Sequence, residues 1–217
     1  MLEKAHQLPN REEWLKKRKN YIGGSDAGAI LGVNPWLTNV DLWEIKTGRK
    51  EQDLSGNKYV QYGLNAEESL RDLFRCDYPD YDVFYIENNM FLNTDSPWAH
   101  ASLDGWIHDR DTNQMGILEI KTANKEPDTD WTIPLSYYCQ LTHYLMVTDY
   151  DFAIMRVSLK EQSINKGLHI DIRDYYFTRH FFKRLIDTLR KEEQRFYQYI
   201  INDERPPAIG EVKDIEF

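Results

Sequence analysis

Ser102-Leu-Asp-Gly-Trp-Ile107, His108-Asp-Arg-Asp-Thr-Asn-Gln-Met-Gly116 and Ile117-Leu-Glu-Ile-Lys-Thr-Ala123 follow one another without a break. Two short apolar runs flank a stretch of turn-forming residues, the pattern of a β-hairpin with a long loop. Side chains on a strand alternate between faces, so Glu119 and Lys121 share one face and Ile120 takes the other. Antiparallel pairing brings Asp104 beside Glu119. Two carboxylates and an ammonium then meet within apolar sequence. An unpaired charge there costs on the order of several kcal/mol, and two carboxylates repel unless a cation joins them. Hard oxygen donors of this kind suit Mg²⁺ or Mn²⁺ rather than Zn²⁺. With Lys121 to orient a water, this is equipment for metal-assisted hydrolysis of a phosphodiester.

Glu-x-Lys is also a common surface ion pair, and the chain carries its own control. Glu44-Ile45-Lys46-Thr47 repeats the letters of Glu119-Ile120-Lys121-Thr122. In the first copy Val40, Trp43 and Thr47 recur at helical spacing and Gly48 follows as a stop, which predicts a helix with its charges in solvent. The tetrapeptide alone therefore decides nothing. The strand context and Leu103-Asp104-Gly105 single out the second copy.

Composition bounds the reading. The 217 residues suffice for one large domain or two small ones, and 41% hydrophobic with 13% aromatic residues supports a packed core. Cys76 and Cys139 form no CxxC, which argues against zinc, iron–sulfur clusters and a disulfide framework, and agrees with a reducing cytosol. No apolar run approaches the ~20 residues of a membrane span, and the N-terminus does not resemble a signal peptide. The net charge of −9 counts against an extended nucleic-acid surface, so basic residues would have to be confined to one channel.

Further elements follow in order. Asn10 to Lys19 predicts a helix with capping-box spacing from Asn10 to Glu13 and a basic end. Gly23-Gly24-Ser25 opens a small-residue helix, with Ser25 as its cap. That opening either presents N–H groups and a hydroxyl to an anion or is simply a capped loop. A longer helix spans Asn57 to Cys76, with Glu67 on the stripe of Leu64, Leu70, Leu73 and Phe74. Strands are expected over 82–87, 90–92, 151–159 and 168–172. Helices are expected over 136–148, with Gln140 beside its apolar face, and over 174–201. The pattern predicts a single α/β domain over residues 1–217, with a central mixed β-sheet of four or five strands flanked by helices. Trp36, Trp98 and Trp131 are left open between base stacking and core.

Gly63-(x)₃-Glu67, Leu103-Asp104-Gly105 and Glu119-Ile120-Lys121, in that order, resemble the PD-(D/E)xK nuclease core. Arg18 with Ile22-Gly23-Gly24-Ser25-Asp26, Leu42-Trp43 with Lys46-Thr47-Gly48, and Tyr137-Tyr138-Cys139-Gln140 are similar to the YqaJ-type viral recombinases, the group of phage lambda exonuclease. The resemblance covers roughly residues 11–150. It implies a restriction-endonuclease-like fold and a Mg²⁺-dependent 5′-to-3′ exonuclease, with Mn²⁺ as a possible substitute, acting on linear double-stranded DNA ends. It further implies a homotrimer, a single-strand annealing protein as partner, and the cytoplasm of a phage- or prophage-bearing bacterium. By the same resemblance Asp104, Glu119 and the Ile120 carbonyl hold metal, with support from Glu67. Lys121 activates water, Gln140 lies near the scissile phosphate, and Arg18 with Ser25 grips the 5′-phosphate. Thr142 stands where many relatives have a second glutamine, and Leu103 where many have proline. An endonuclease on the same core and a non-catalytic DNA-end-binding module are the alternatives. The absence of a cysteine cluster argues against a Cas4-like chain.

Overall fold

The structure, a computed structural model, describes residues 6–53, 56–126, 129–163 and 167–216. A short strand β1 (His6–Gln7) precedes helices α1 (Arg11–Arg18), α2 (Gly24–Ile30), α3 (Asn39–Lys46) and α4 (Lys58–Asp77). Strands β2 (Tyr81–Phe84), β3 (Asn89–Leu92), β4 (His100–Ala101), β5 (Gly105–Asp109) and β6 (Gln114–Asn124) follow. Helix α5 (Leu135–Thr148), strands β7 (Phe152–Ser163) and β8 (Gly167–Thr178), and helix α6 (Lys183–Ile201) complete the order. None of the described helices is long and apolar enough to cross a membrane.

Local chemistry sets the helix starts. The Asn10 side chain accepts from the Glu13 N–H at 2.9 Å, Thr38 caps α3 through the Asp41 N–H, and Asn57 caps α4 through Tyr59 and Val60. Acidic residues in the first turn of α1 and basic ones in its last turn complement the helix dipole.

The five-stranded sheet runs β2-β5-β6-β7-β8. It is antiparallel except between β6 and β7, where α5 provides the crossover that a parallel pair requires. The β5–β6 ladder extends from Gly105↔Leu118 to Asp109↔Gln114. The connecting loop is therefore only residues 110–113, with Asn113 left-handed at φ 58°. The expected long loop is zipped up by cross-strand pairing on both sides. A second, three-stranded sheet runs β1-β3-β4.

Strand alternation gives the large sheet its two cores. Ile117 packs in the cluster of Leu141, Tyr144 and Leu145 from α5, with α2 and α6 beyond. Leu118 and Ile120 face the other way, onto Leu70 and Phe74 of α4. Full burial of a side chain such as Leu118 contributes about 2–3 kcal/mol.

Three expectations on this frame need correction. Residues 174–178 are strand, not helix. Arg156 in β7 is buried and needs counter-charge, which Asp174 (2.8 Å) and Asp77 (2.7 Å) supply. Asp174 can face Arg156 only across a ladder, and Tyr176 then stacks on Phe152. On α4, Leu64 and Leu73 are exposed at 42% and 41%, so its inward stripe is Leu70, Arg71 and Phe74, with Glu67 half-buried beside it. The cap of α2 is Gly23 rather than Ser25, because the Asp26 carboxylate reaches back to the Gly23 N–H at 2.9 Å.

Residues 207–212 return to the first helices. The Asn39 amide donates to Pro207 O and accepts from Ile209 N, and Val212 N donates to Gly32 O. Gly32 has φ +73°, and a Cβ there would meet Ile209 at 2.8 Å and the Gly210 carbonyl at 2.9 Å, so glycine suits the position.

Candidate active site

Asp104 lies one residue before β5, just past the last rung of the β5–β6 ladder. Beyond that rung the Ile120 N–H has no strand partner on this side. Asp104 Oδ2 takes it at 2.9 Å. The N–H and C=O of a strand residue point to the same edge, so the Ile120 carbonyl also faces Asp104. Arg71 of α4 donates to the Asp104 backbone carbonyl and fixes the turn from the far side.

Glu119 projects beneath α5 and is 2% exposed. Its Oε1 receives Lys121 Nζ at 2.7 Å and Gln140 Nε2 at 2.8 Å, while Oε2 is buried without a hydrogen-bond partner. Gln140 Oε1 accepts a second bond from Lys121 Nζ at 2.8 Å. Its amide nitrogen also reaches the Tyr144 hydroxyl at 2.9 Å. Gln140 and Tyr144 are four residues apart, hence on one face of α5. The ring of Tyr137 lies 4.9 Å from Lys121 Nζ. Asp104, Glu119, Lys121 and Gln140 thus form one contiguous cluster.

The electrostatics show the crowding. Burial, with Asp104 nearby, pushes Glu119 up to about 8 despite Lys121. Burial and the same Asp104 push Glu67 up to about 7. Asp104 itself is raised by burial. Burial alone would lower Lys121, but Glu119 and Asp104 outweigh it and raise it. Lys121 and Arg71 oppose these shifts at Asp104 and Glu67 without cancelling them, so the three carboxyl groups stay crowded. Among the described residues no three His, Cys, Asp or Glu side chains already form a metal cage. Glu67 stands on the α4 side of Asp104 and does not complete one.

The Arg18 guanidinium stacks 4.2 Å over Trp14. The Trp14 indole N–H bonds Asn89 O and Ser102 Oγ, which ties Arg18 to the segment leading into Asp104. Ser25 is exposed in the first turn of α2. Gly24 beside it packs on Tyr144, where a Cβ would collide with the ring. The chain Gly24–Tyr144–Gln140–Glu119 therefore connects the α2 loop to the carboxylates, and Arg18 is close enough to act on the Tyr144 hydroxyl electrostatically.

Other placements were not anticipated. Lys46, expected in solvent, is an 11%-exposed side chain paired with Asp26 at 2.6 Å, because α3 packs its last turn against the α2 loop. His143 bonds Glu193 through Nδ1 at 2.6 Å and the His100 carbonyl through Nε2 at 2.8 Å, fully buried between α5 and α6. The signal was legible: Glu193 lies on the apolar stripe of Leu185, Leu189 and Phe196. Trp98 is core, Trp131 packs on Tyr175, and Trp36 is 80% exposed.

Comparison with known proteins bears on the fold and the family. A crystal structure of the alkaline exonuclease LHK-Exo from Laribacter hongkongensis superposes with a TM-score of 0.63 at 16% identity, covering 88% of this chain and 93% of that one. A phage-related exonuclease from Haemophilus somnus 129PT gives 0.56 at 16% identity, over 84% and 96%. These likenesses show the fold: a restriction-endonuclease-like mixed sheet flanked by helices. The protein YqaJ of Bacillus subtilis (strain 168) is 31% identical over 141 residues, which are 64% of this chain and 42% of that protein. The chain thus spans about two fifths of that relative's length. The profile of the YqaJ-like viral recombinase domain matches residues 13–151, from α1 through α5 and the whole Asp104–Glu119–Lys121–Gln140 cluster. The chain belongs to the YqaJ-like viral recombinase domain family.

Proposed function

We propose that this chain is a metal-dependent 5′-to-3′ exonuclease acting on linear double-stranded DNA ends, leaving 3′ single-stranded overhangs for phage-type homologous recombination. The observation that carries the reading is Glu119 Oε2. It is a buried, partnerless oxygen, beside Asp104 and Lys121, on a carboxyl group that burial and Asp104 hold well above its ordinary pKa. Asp104, Glu119 and the Ile120 carbonyl offer the hard oxygen set that Mg²⁺ or Mn²⁺ takes, backed by Glu67. Bound there, Mg²⁺ would neutralise the carboxylates and polarise the phosphodiester toward in-line attack.

The side chains divide the remaining work. Gln140 holds Lys121 and Glu119 in register through its two ends. Lys121 Nζ orients the attacking water. As a base it must first release its own proton to solvent; the neutral amine then accepts the proton of that water. Arg18, held over the Trp14 ring, supplies N–H donors for a terminal 5′-phosphate, with Ser25 as the second donor. LHK-Exo has also been crystallised with dAMP, a mononucleotide of the class such a reaction releases. A homotrimer around the duplex, a single-strand annealing protein as partner and the cytoplasm of a bacterial host belong to the same reading.

The test is digestion of 5′-phosphorylated linear duplex and closed circular DNA side by side, in Mg²⁺ and in EDTA. Loss of linear DNA alone, with Mg²⁺ only, is expected. Cutting of circles would replace the reading with an endonuclease. No cleavage in Mg²⁺ or Mn²⁺ would leave a DNA-end-binding module.

A further inference from the structure

We infer that Lys46 and Asp26 form a positioning clamp that sets the spacing between Arg18 and Ser25, and so the preference for a 5′-phosphorylated end. The inference rests on the exonuclease reading and deepens its 5′-phosphate site. A single oxygen, Asp26 Oδ2, takes the Gly23 N–H at 2.9 Å and Lys46 Nζ at 2.6 Å. The same Nζ donates to the Tyr21 carbonyl at 2.8 Å. One ammonium and one carboxylate oxygen thus tie residues 21, 23 and 26 together. The loop between them is pressed from below: His100 Nε2 lies 2.9 Å from where a Gly23 Cβ would stand, and Tyr144 fills the space under Gly24. Arg18 is attached to the start of this loop through the Tyr21 N–H to Arg18 O bond, and Ser25 stands exposed between Gly24 and Asp26.

Lys46 and Asp26 side chains are 11% and 14% exposed. A pair this buried is weak evidence for stability, because apolar replacements often serve as well; fixing one geometry is what it does distinctively. Both groups act through the loop: beside the bond between them, Lys46 holds its backbone at Tyr21 and Asp26 at Gly23. Displacing two phosphate donors by about 1 Å is enough to cost up to about 100-fold in a well-aligned site.

The experiment measures initial rates on duplexes bearing 5′-phosphate or 5′-hydroxyl ends over a range of DNA concentrations, for wild type, K46M, D26N and K46R, with melting curves for each. K46M and D26N are expected to cut the phosphate-over-hydroxyl preference at least about tenfold, through a raised KM for phosphorylated ends more than a lowered kcat. K46R, which keeps the charge, restores most of the preference. Should K46M fail to fold, D26N decides, since it keeps the shape and the Gly23 contact while losing the ion pair. A preference intact in the folded variants, or both end types slowed by one common factor, overturns the clamp. A wild type that degrades DNA without distinguishing the ends overturns the Arg18–Ser25 pocket and the clamp with it. A wild type that degrades nothing overturns the exonuclease reading first.

Discussion

Glu44-Ile45-Lys46-Thr47 and Glu119-Ile120-Lys121-Thr122 are the same four residues in two places, and the molecule uses them differently. In α3 each residue advances about 100°, so glutamate and lysine two apart diverge by about 200° and cannot meet. Lys46 therefore looks outside its own segment and finds Asp26. In β6 the same spacing returns each side chain to one face, and Lys121 meets Glu119 at 2.7 Å. The middle isoleucine separates too: Ile120 is buried under α4, whereas Ile45 is only partly covered. The comparison teaches that a motif of charged residues acquires its chemistry from the period of the backbone beneath it.

The sharpest way to break the comparison is at the lysines. Lys121→Ala is expected to cost at least about 100-fold in cleavage rate with the fold retained, measured by duplex digestion beside circular dichroism. Lys46→Met, by contrast, shifts end preference. Next comes the isoleucine. Ile120→Ala is expected to destabilise by about 2–4 kcal/mol in urea unfolding, and Ile45→Ala by clearly less, because only Ile120 leaves a sealed cavity.

The glutamates differ in their response to pH. In the metal-free protein the Glu119 carboxyl is raised to about 8 from its ordinary 4.5. The folded state then holds a proton that the unfolded state has already released, so this group's stability contribution falls as pH rises between those values. Melting temperatures in EDTA should accordingly fall across that window, and the rise on adding Mg²⁺ should be larger at about pH 9 than at about pH 6. Glu119→Gln flattens both trends. The smallest effect is Glu44→Gln, expected within about 0.5 kcal/mol in the same melts.

Much of this contrast was legible in the sequence, for a definable reason. The Asp104–Glu119–Lys121 cluster is local: one hairpin with period-two alternation brings it together. The caps at Asn10 and Asn57 are equally local. Lys46 was misread because its partner lies twenty residues upstream on another helix, and nothing in the 44–47 window encodes that. Asp174 to Thr178 was misread because its run of three aromatic residues, Tyr175 to Phe177, leads straight into the amphipathic pattern of α6; the arbiter is Arg156, a buried cation on a neighbouring strand. Leu64 and Leu73 carried helical periodicity without burial, since periodicity names a face but not the width of what covers it.

The return of residues 207–212 onto Gly32 and Asn39 bears on how the molecule is made. These contacts join positions roughly 170 residues apart, so the loop they close is among the longest in the chain. During synthesis α2 and α3 emerge well before residues 207–212 and wait for them. The contacts of α2 and α3 with this segment then form late, and pulse-labelled hydrogen exchange should find the Ile209 and Val212 amides, which donate to Asn39 Oδ1 and Gly32 O, protected later than those of β5 and β6. A chain stalled before residues 207–212 would hold its carboxylate cluster while α2 and α3, the helices next to Arg18 and around Ser25, still lacked these neighbours, so the two parts of the candidate site mature in sequence.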